Sequence, residues 1–203
     1  MKTNRGVLSV LLGATLLAGC GAEGPVEKEG EGQLGEPVST TEPSGAQALA
    51  VAGYCDDVTT WDPAWDSFES QVLTLVNQKR AAGATCGGVA KPAVPALTLD
   101  TRLRCAARKH SKDMGLNNFM SHTGSNGSSP WQRMTDAGYT YRWAGENVAA
   151  GYGTPSAVVD GWMKSSGHCN NIMSSNFKQL GVGYYYAPSS TYKHYWTQDF
   201  GQQ

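Results

Sequence analysis

The sequence predicts an α+β fold in which helices pack on an antiparallel sheet, and three observations support it. Four stretches before residue 170 carry helical signals, either apolar residues at helical spacing or a capping residue before proline. Two later stretches, 180–187 and 193–200, are rich in Tyr, Trp and Phe and flank the turn Pro188-Ser189-Ser190-Thr191, the pattern of a hairpin. Helices that precede and interleave with antiparallel strands place the chain in this class, and no internal repeat argues otherwise.

Taken in order, the first helix covers about 64–82, with Phe68, Val72, Leu75 and Val76 on one face and Gly83 as its stop. A loop holding Cys86, Gly87, Gly88, Pro92 and Pro95 leads to Leu97 and Leu99. Asp100 or Thr101 caps the second helix, whose buried stripe is Leu103, Ala106, Ala107, His110 and Met114. Ser129-Pro130 starts a short third helix that runs to about Ala137 and stops at Gly138. Thr154-Pro155 starts a fourth, with Val158, Val159, Trp162 and Met163 apolar, ending near Gly167. Residues 145–149 read as a further strand, and His194, within the hairpin, carries no functional signal.

Three segments are expected. Residues 1–19 carry Lys2 and Arg5 before an uncharged stretch too short to cross a bilayer, which needs about 20 apolar residues, so they read as an export signal. The ending Leu17-Ala18-Gly19-Cys20 is similar to a bacterial lipobox, which implies lipidation of Cys20 and a membrane anchor; cleavage near Ala18 with an unmodified Cys20 is the plainer alternative. Residues 20–53 contain no aromatic residue, six glutamates and repeated Gly, Pro, Ser and Thr, the composition of a disordered tether without a site of its own. Residues 54–203 hold every aromatic residue and have length enough for one core. Their near-balanced charge, without a basic stripe, excludes a nucleic-acid surface, and a monomer is expected. Export leaves Cys55, Cys86, Cys105 and Cys169 in an oxidising compartment, where two disulfides are expected; spacing does not choose among three pairings.

Three ordered stretches resemble the CAP superfamily of cysteine-rich secretory, antigen 5 and pathogenesis-related (SCP-like) proteins, and its bacterial YkwD-like branch in particular. They are 107–114 with Phe119-Met-Ser-His-Thr-Gly124, then Ala144-Gly-Glu-Asn-Val148, then Gly161-Trp-Met-Lys-Ser-Ser-Gly-His-Cys-Asn-Asn-Ile172. Tyr195-Trp-Thr-Gln-Asp-Phe-Gly201 also fits. The resemblance implies an α-β-α sandwich and a large open cleft where His122, Glu146 and His168 meet. Ser165 stands where many eukaryotic members have a second glutamate, which leaves the acidic pair incomplete. It also implies the pairings Cys86–Cys169 and Cys55–Cys105.

Two imidazoles and a carboxylate form a ligand set compatible with zinc plus water, with Glu146 as ligand or as the group that orients a ring. The competing reading is a hydrogen-bonded network that closes the cleft without metal. No G-x-S-x-G elbow supports a serine nucleophile at Ser121, Ser165 or Ser166, which suit caps and turns better. The functions to separate are a binding module for an apolar ligand such as a sterol or acyl chain, an interaction domain for an envelope component, and a zinc-assisted hydrolase of envelope polymers with Glu146 as base.

Overall fold

The computed structural model describes residues 33–34 and 50–203; residues 1–19, Cys20 and most of the 20–53 segment lie outside the described residues, and with them the export signal, the lipidation site and the tether. In chain order the elements are β1 (Gln33–Leu34), α1 (Asp56–Thr59), α2 (Pro63–Ala82), β2 (Ala84–Cys86), β3 (Val89–Lys91) and β4 (Thr98–Leu99). They continue with α3 (Thr101–Asn117), α4 (Pro130–Asp136), β5 (Trp143–Ala150), α5 (Pro155–Lys164), α6 (Ser166–Ile172), β6 (Gln179–Tyr186) and β7 (His194–Gln202).

Side chains cap the helices at the expected places. Asp100 accepts from the amides of Arg102 and Leu103, Ser129 from Gln132 and Thr154 from Ala157, each satisfying donors that a helix start leaves open. Asn118 ends α3 in the left-handed region, its amide donating to the Met114 carbonyl.

The sheet runs β1-β5-β7-β6-β4, antiparallel except for the two-residue β4, which pairs parallel with β6. Strands β5 and β7 pair over eight positions, as do β6 and β7. Because side chains alternate along a strand, the sheet has two apolar faces. Leu180, Val182, Tyr184, Trp196 and Phe200 meet Val72 and Val76 of α2, Trp162 of α5 and Ile172 of α6. On the opposite face, Ala144 packs with Leu103, Ala106 and Met134, and Val148 and Tyr195 pack with Met114. The α3 stripe anticipated from periodicity is fully buried at all five positions, His110 included.

Two glycines decide how close α3 lies. A Cβ at Gly181 would collide with the backbone of Leu103 and Arg104, and one at Gly183 with the backbone of Ala107. Helix α3 therefore rests directly on β6, as only glycine allows.

The structure departs from expectation at three places. The fourth helix is two: Ser165 takes an extended conformation (φ −82°, ψ 128°) and ends α5, and α6 then carries Gly167 and His168 on a helix rather than in a loop. Cys169 and Asn171 explain the break, since a disulfide to Cys86 and hydrogen bonds to β5 hold α6 on a line of its own. Within the stretch expected to be a spacer, residues 33–34 pair with Gly145 and Glu146, because β5 would otherwise end the sheet with open backbone groups. Short elements α1, β2, β3 and β4 had no periodicity to reveal them. The disulfides join Cys55 to Cys105 and Cys86 to Cys169, the pairs that the resemblance implies.

Candidate functional site

Glu146 stands near the middle of β5 on the face covered by α3, and its side chain is fully buried. One oxygen accepts from Arg133 Nη2 at 2.7 Å, and the other lies 2.7 Å from His122 Nδ1. An ionised carboxylate only accepts, so His122 Nδ1 carries a proton and donates it to Glu146. Burial alone would raise the Glu146 carboxyl; Arg133, with His110 and His122, outweighs it and holds the group well below the usual carboxylate range.

Arg133 also shapes the loop between α3 and α4. From α4 its guanidinium donates to the carbonyls of His122 (2.9 Å) and Ser128 (2.9 Å) while it pairs with Glu146. His110 on α3 donates from Nε2 to the Ser121 carbonyl at 2.7 Å; burial pulls its ring down to about 4, so it serves as a neutral donor. Asp113 accepts from the Ser125 amide and hydroxyl further along. Three side chains from α3 and α4 thus pin the loop that presents His122. Ser121 Oγ accepts from the Thr123 amide, a turn role as expected.

His168 belongs to the other side of β5. Alternation turns Asn147 away from Glu146, and Asn147 Nδ2 donates to the His168 carbonyl (3.2 Å) and to Gln198 Oε1 (3.0 Å). Asn171 Nδ2 donates to the Glu146 carbonyl (3.2 Å) and Asn147 Oδ1 (2.9 Å). The two asparagines lock α6 to β5, and the Cys86–Cys169 bond fixes its other flank. His122 and Glu146 are joined directly, whereas His168 (5% exposed) reaches this strand from the α6 side. Ser165, at the missing acidic position, is the joint between α5 and α6.

Among the described residues, no three His, Cys, Asp or Glu side chains are grouped as a metal ion requires. Glu146 supplies the reason: both its oxygens are engaged, one of them by a guanidinium whose charge opposes a dication. With Arg133 beside Glu146, the set His122, Glu146 and His168 considered from the sequence suits a hydrogen-bonded network better than a dication.

Two members of the site escaped the sequence reading. Arg133 is one cation on a seven-residue helix, and nothing in one dimension marks it. Asp199 was legible in principle: it falls at a core-facing position of β7, in register with Glu146, and a carboxyl there is fully buried.

The sequence pattern described as the cysteine-rich secretory protein family (CAP) matches residues 73–200. The uncharacterized protein YkwD of Bacillus subtilis (strain 168) is 33% identical over 165 residues, 81% of this chain and 59% of that relative. The uncharacterized membrane protein YlbC of the same organism is 32% identical over 140 residues, 69% of this chain and 36% of that one. The chain thus spans under two thirds of either relative. Among solved structures, an extracellular protein containing a SCP domain from Bacillus anthracis superposes with a TM-score of 0.59 at 28% identity, over 71% of this chain and 45% of that one. An outer surface protein of Borrelia burgdorferi shares the fold at a TM-score of 0.53 and 18% identity, over 68% of this chain and 91% of that one. With the sandwich, the two disulfides and the His122–Glu146 pair in place, the chain belongs to the cysteine-rich secretory protein (CAP) family.

Proposed function

We propose that this protein is an exported envelope lipoprotein, anchored through Cys20, whose CAP domain works as a binding and interaction module rather than as a zinc-assisted hydrolase. One observation carries the reading: both oxygens of Glu146 are committed within the fold, to Arg133 and His122. A carboxylate held this way, with a guanidinium beside it, is suited to bracing a loop and a strand. The extracellular and outer-surface descriptions of two structural relatives are in keeping with an exported protein. The recognised species would be an envelope component or an apolar molecule of the sterol or acyl-chain type, met beside His122.

Calorimetric titration with zinc, on the wild type and on His122→Ala and His168→Ala, separates the readings. Heat of dilution alone is expected in all three. Tight one-to-one binding, abolished by both substitutions, would overturn the module reading in favour of a metal centre. Lipid extraction followed by mass spectrometry identifies a co-purifying apolar ligand, and a domain empty of lipid would leave the envelope-component reading to stand. Cys20→Ser is expected to move the protein from the membrane fraction to the soluble one.

A further inference from the structure

Register places Asp199 of β7 directly across from Glu146 of β5, and opposed residues of an antiparallel pair point to the same face with their Cβ atoms about 5 Å apart. Both side chains are fully buried. Two carboxylates so placed repel strongly, and such pairs share one proton instead. The surroundings say which member keeps it. Arg133 from α4 and His122 from the α3–α4 loop both direct donors at Glu146, and His110 from α3 spends its Nε2 proton on Ser121. Among the described residues, no N–H or hydroxyl reaches either oxygen of Asp199.

We propose that Asp199 is a positioning residue of this site, a neutral carboxylic acid that donates its proton to Glu146 from the neighbouring strand. It thereby holds Glu146 in the orientation that serves Arg133 and His122 at once. The third contact matters because a carboxylate gripped only at its two outer corners still rocks about its last side-chain bond, and the His122 ring would follow. Burial, then the charge on Glu146, push the Asp199 carboxyl well above the ordinary aspartate range, and Arg133 offsets only part of this. One proton between two acids also keeps the buried charge balanced, with Glu146 as the single anion against the Arg133 cation. This assignment holds whether the site binds or reacts, so it stands or falls apart from the module reading.

Carbon-detected NMR titration of aspartate side chains in the full chain tests it. At pH 7 the Asp199 carboxyl is expected at the protonated position, apart from the signals of the exposed aspartates. Asp199→Asn keeps a neutral donor and is expected to leave the His122 ring-nitrogen shifts unchanged. Asp199→Leu fills similar space without a donor and is expected to shift them and to broaden the ring signals. An Asp199 signal that ionises along with the exposed aspartates overturns the proposal, as does an Asn variant that disturbs His122 as much as the Leu variant. Should the Leu variant fail to fold, the wild-type titration and the Asn variant decide by themselves.

Discussion

Replacing Arg133 by methionine removes a guanidinium that is 4% exposed and joins three acceptors: the Glu146 carboxylate and the carbonyls of His122 and Ser128. Methionine follows the aliphatic part of the side chain, so the loss is mostly electrostatic. Glu146, 0% exposed, keeps its bond to His122 but loses its counter-charge. Breaking a buried ion pair from one side costs about 3–5 kcal/mol, because an uncompensated charge stays behind. At roughly 2–4 °C per kcal/mol for a domain of this size, Tm should fall by about 6–20 °C. The loss should depend on pH. Glu146 is held down from 4.5 to about 2 in the folded state, so its contribution is present above the unfolded value and fades as pH falls from about 4.5 towards 2. The gap between wild type and Arg133→Met should therefore narrow in acid. Chemical denaturation at pH 7 and pH 4 measures this, with Glu146→Leu and the double variant Arg133→Met/Glu146→Leu completing a cycle. An apolar pair of similar volume is often tolerated, so the double variant should lose less than the sum of the singles by at least about 2 kcal/mol. If Arg133→Met costs under about 1 kcal/mol, or the two losses simply add, the network is not what holds this region together.

Other expectations follow from the same structure. With its folded-state pKa raised above 3.8, Asp199 adds stability that is full at low pH and lost as pH climbs above that value. Asp199→Asn should accordingly gain on wild type by up to about 1.4 kcal/mol per pH unit through that window, measured by urea unfolding at stepped pH; a difference that does not vary with pH would refute the raised value. Gly183→Ala should cost about 3 kcal/mol, since its Cβ would meet the backbone of α3 rather than a yielding side chain, and thermal melting with wild-type-like stability would show that the helix can retreat. Removing the disulfide with Cys86→Ser and Cys169→Ser, which closes 83 residues of sequence separation, should cost about 4–5 kcal/mol on the chain-entropy account; hydrogen exchange in the double variant should rise first in α6, and uniform exchange would argue against its pinning role.

What could be read along the chain and what could not divide on physical lines. Helix starts were legible because a cap is a local event: Asp100, Ser129 and Thr154 satisfy amides two or three residues away. The α3 stripe and the β6–β7 hairpin were legible because burial imposes a period on long elements. The break at Ser165 was not, since apolar spacing runs on through it and what divides the helix is a bond to Cys169 from Cys86, 83 residues before that cysteine. His122 and Glu146 were found through resemblance to a family, and their direct bond accords with that reading. His168 was found the same way, but its place on a helix on the other side of β5 was not foreseen.

The sequence alone determined the class of the fold, the starts of α3, α4 and α5, and the buried face of α3. These follow from short-range hydrogen bonding and from periodic burial, both of which act within a few residues. Tertiary structure alone decided the chemistry the site residues can perform. Only packing carries Arg133 to Glu146, sets Asp199 opposite it and buries all three, and charge interactions grow strong where water is excluded. A histidine and a glutamate 24 positions apart suit a metal ligand as readily as a brace; only tertiary structure brings the Arg133 guanidinium of α4 against Glu146 of β5.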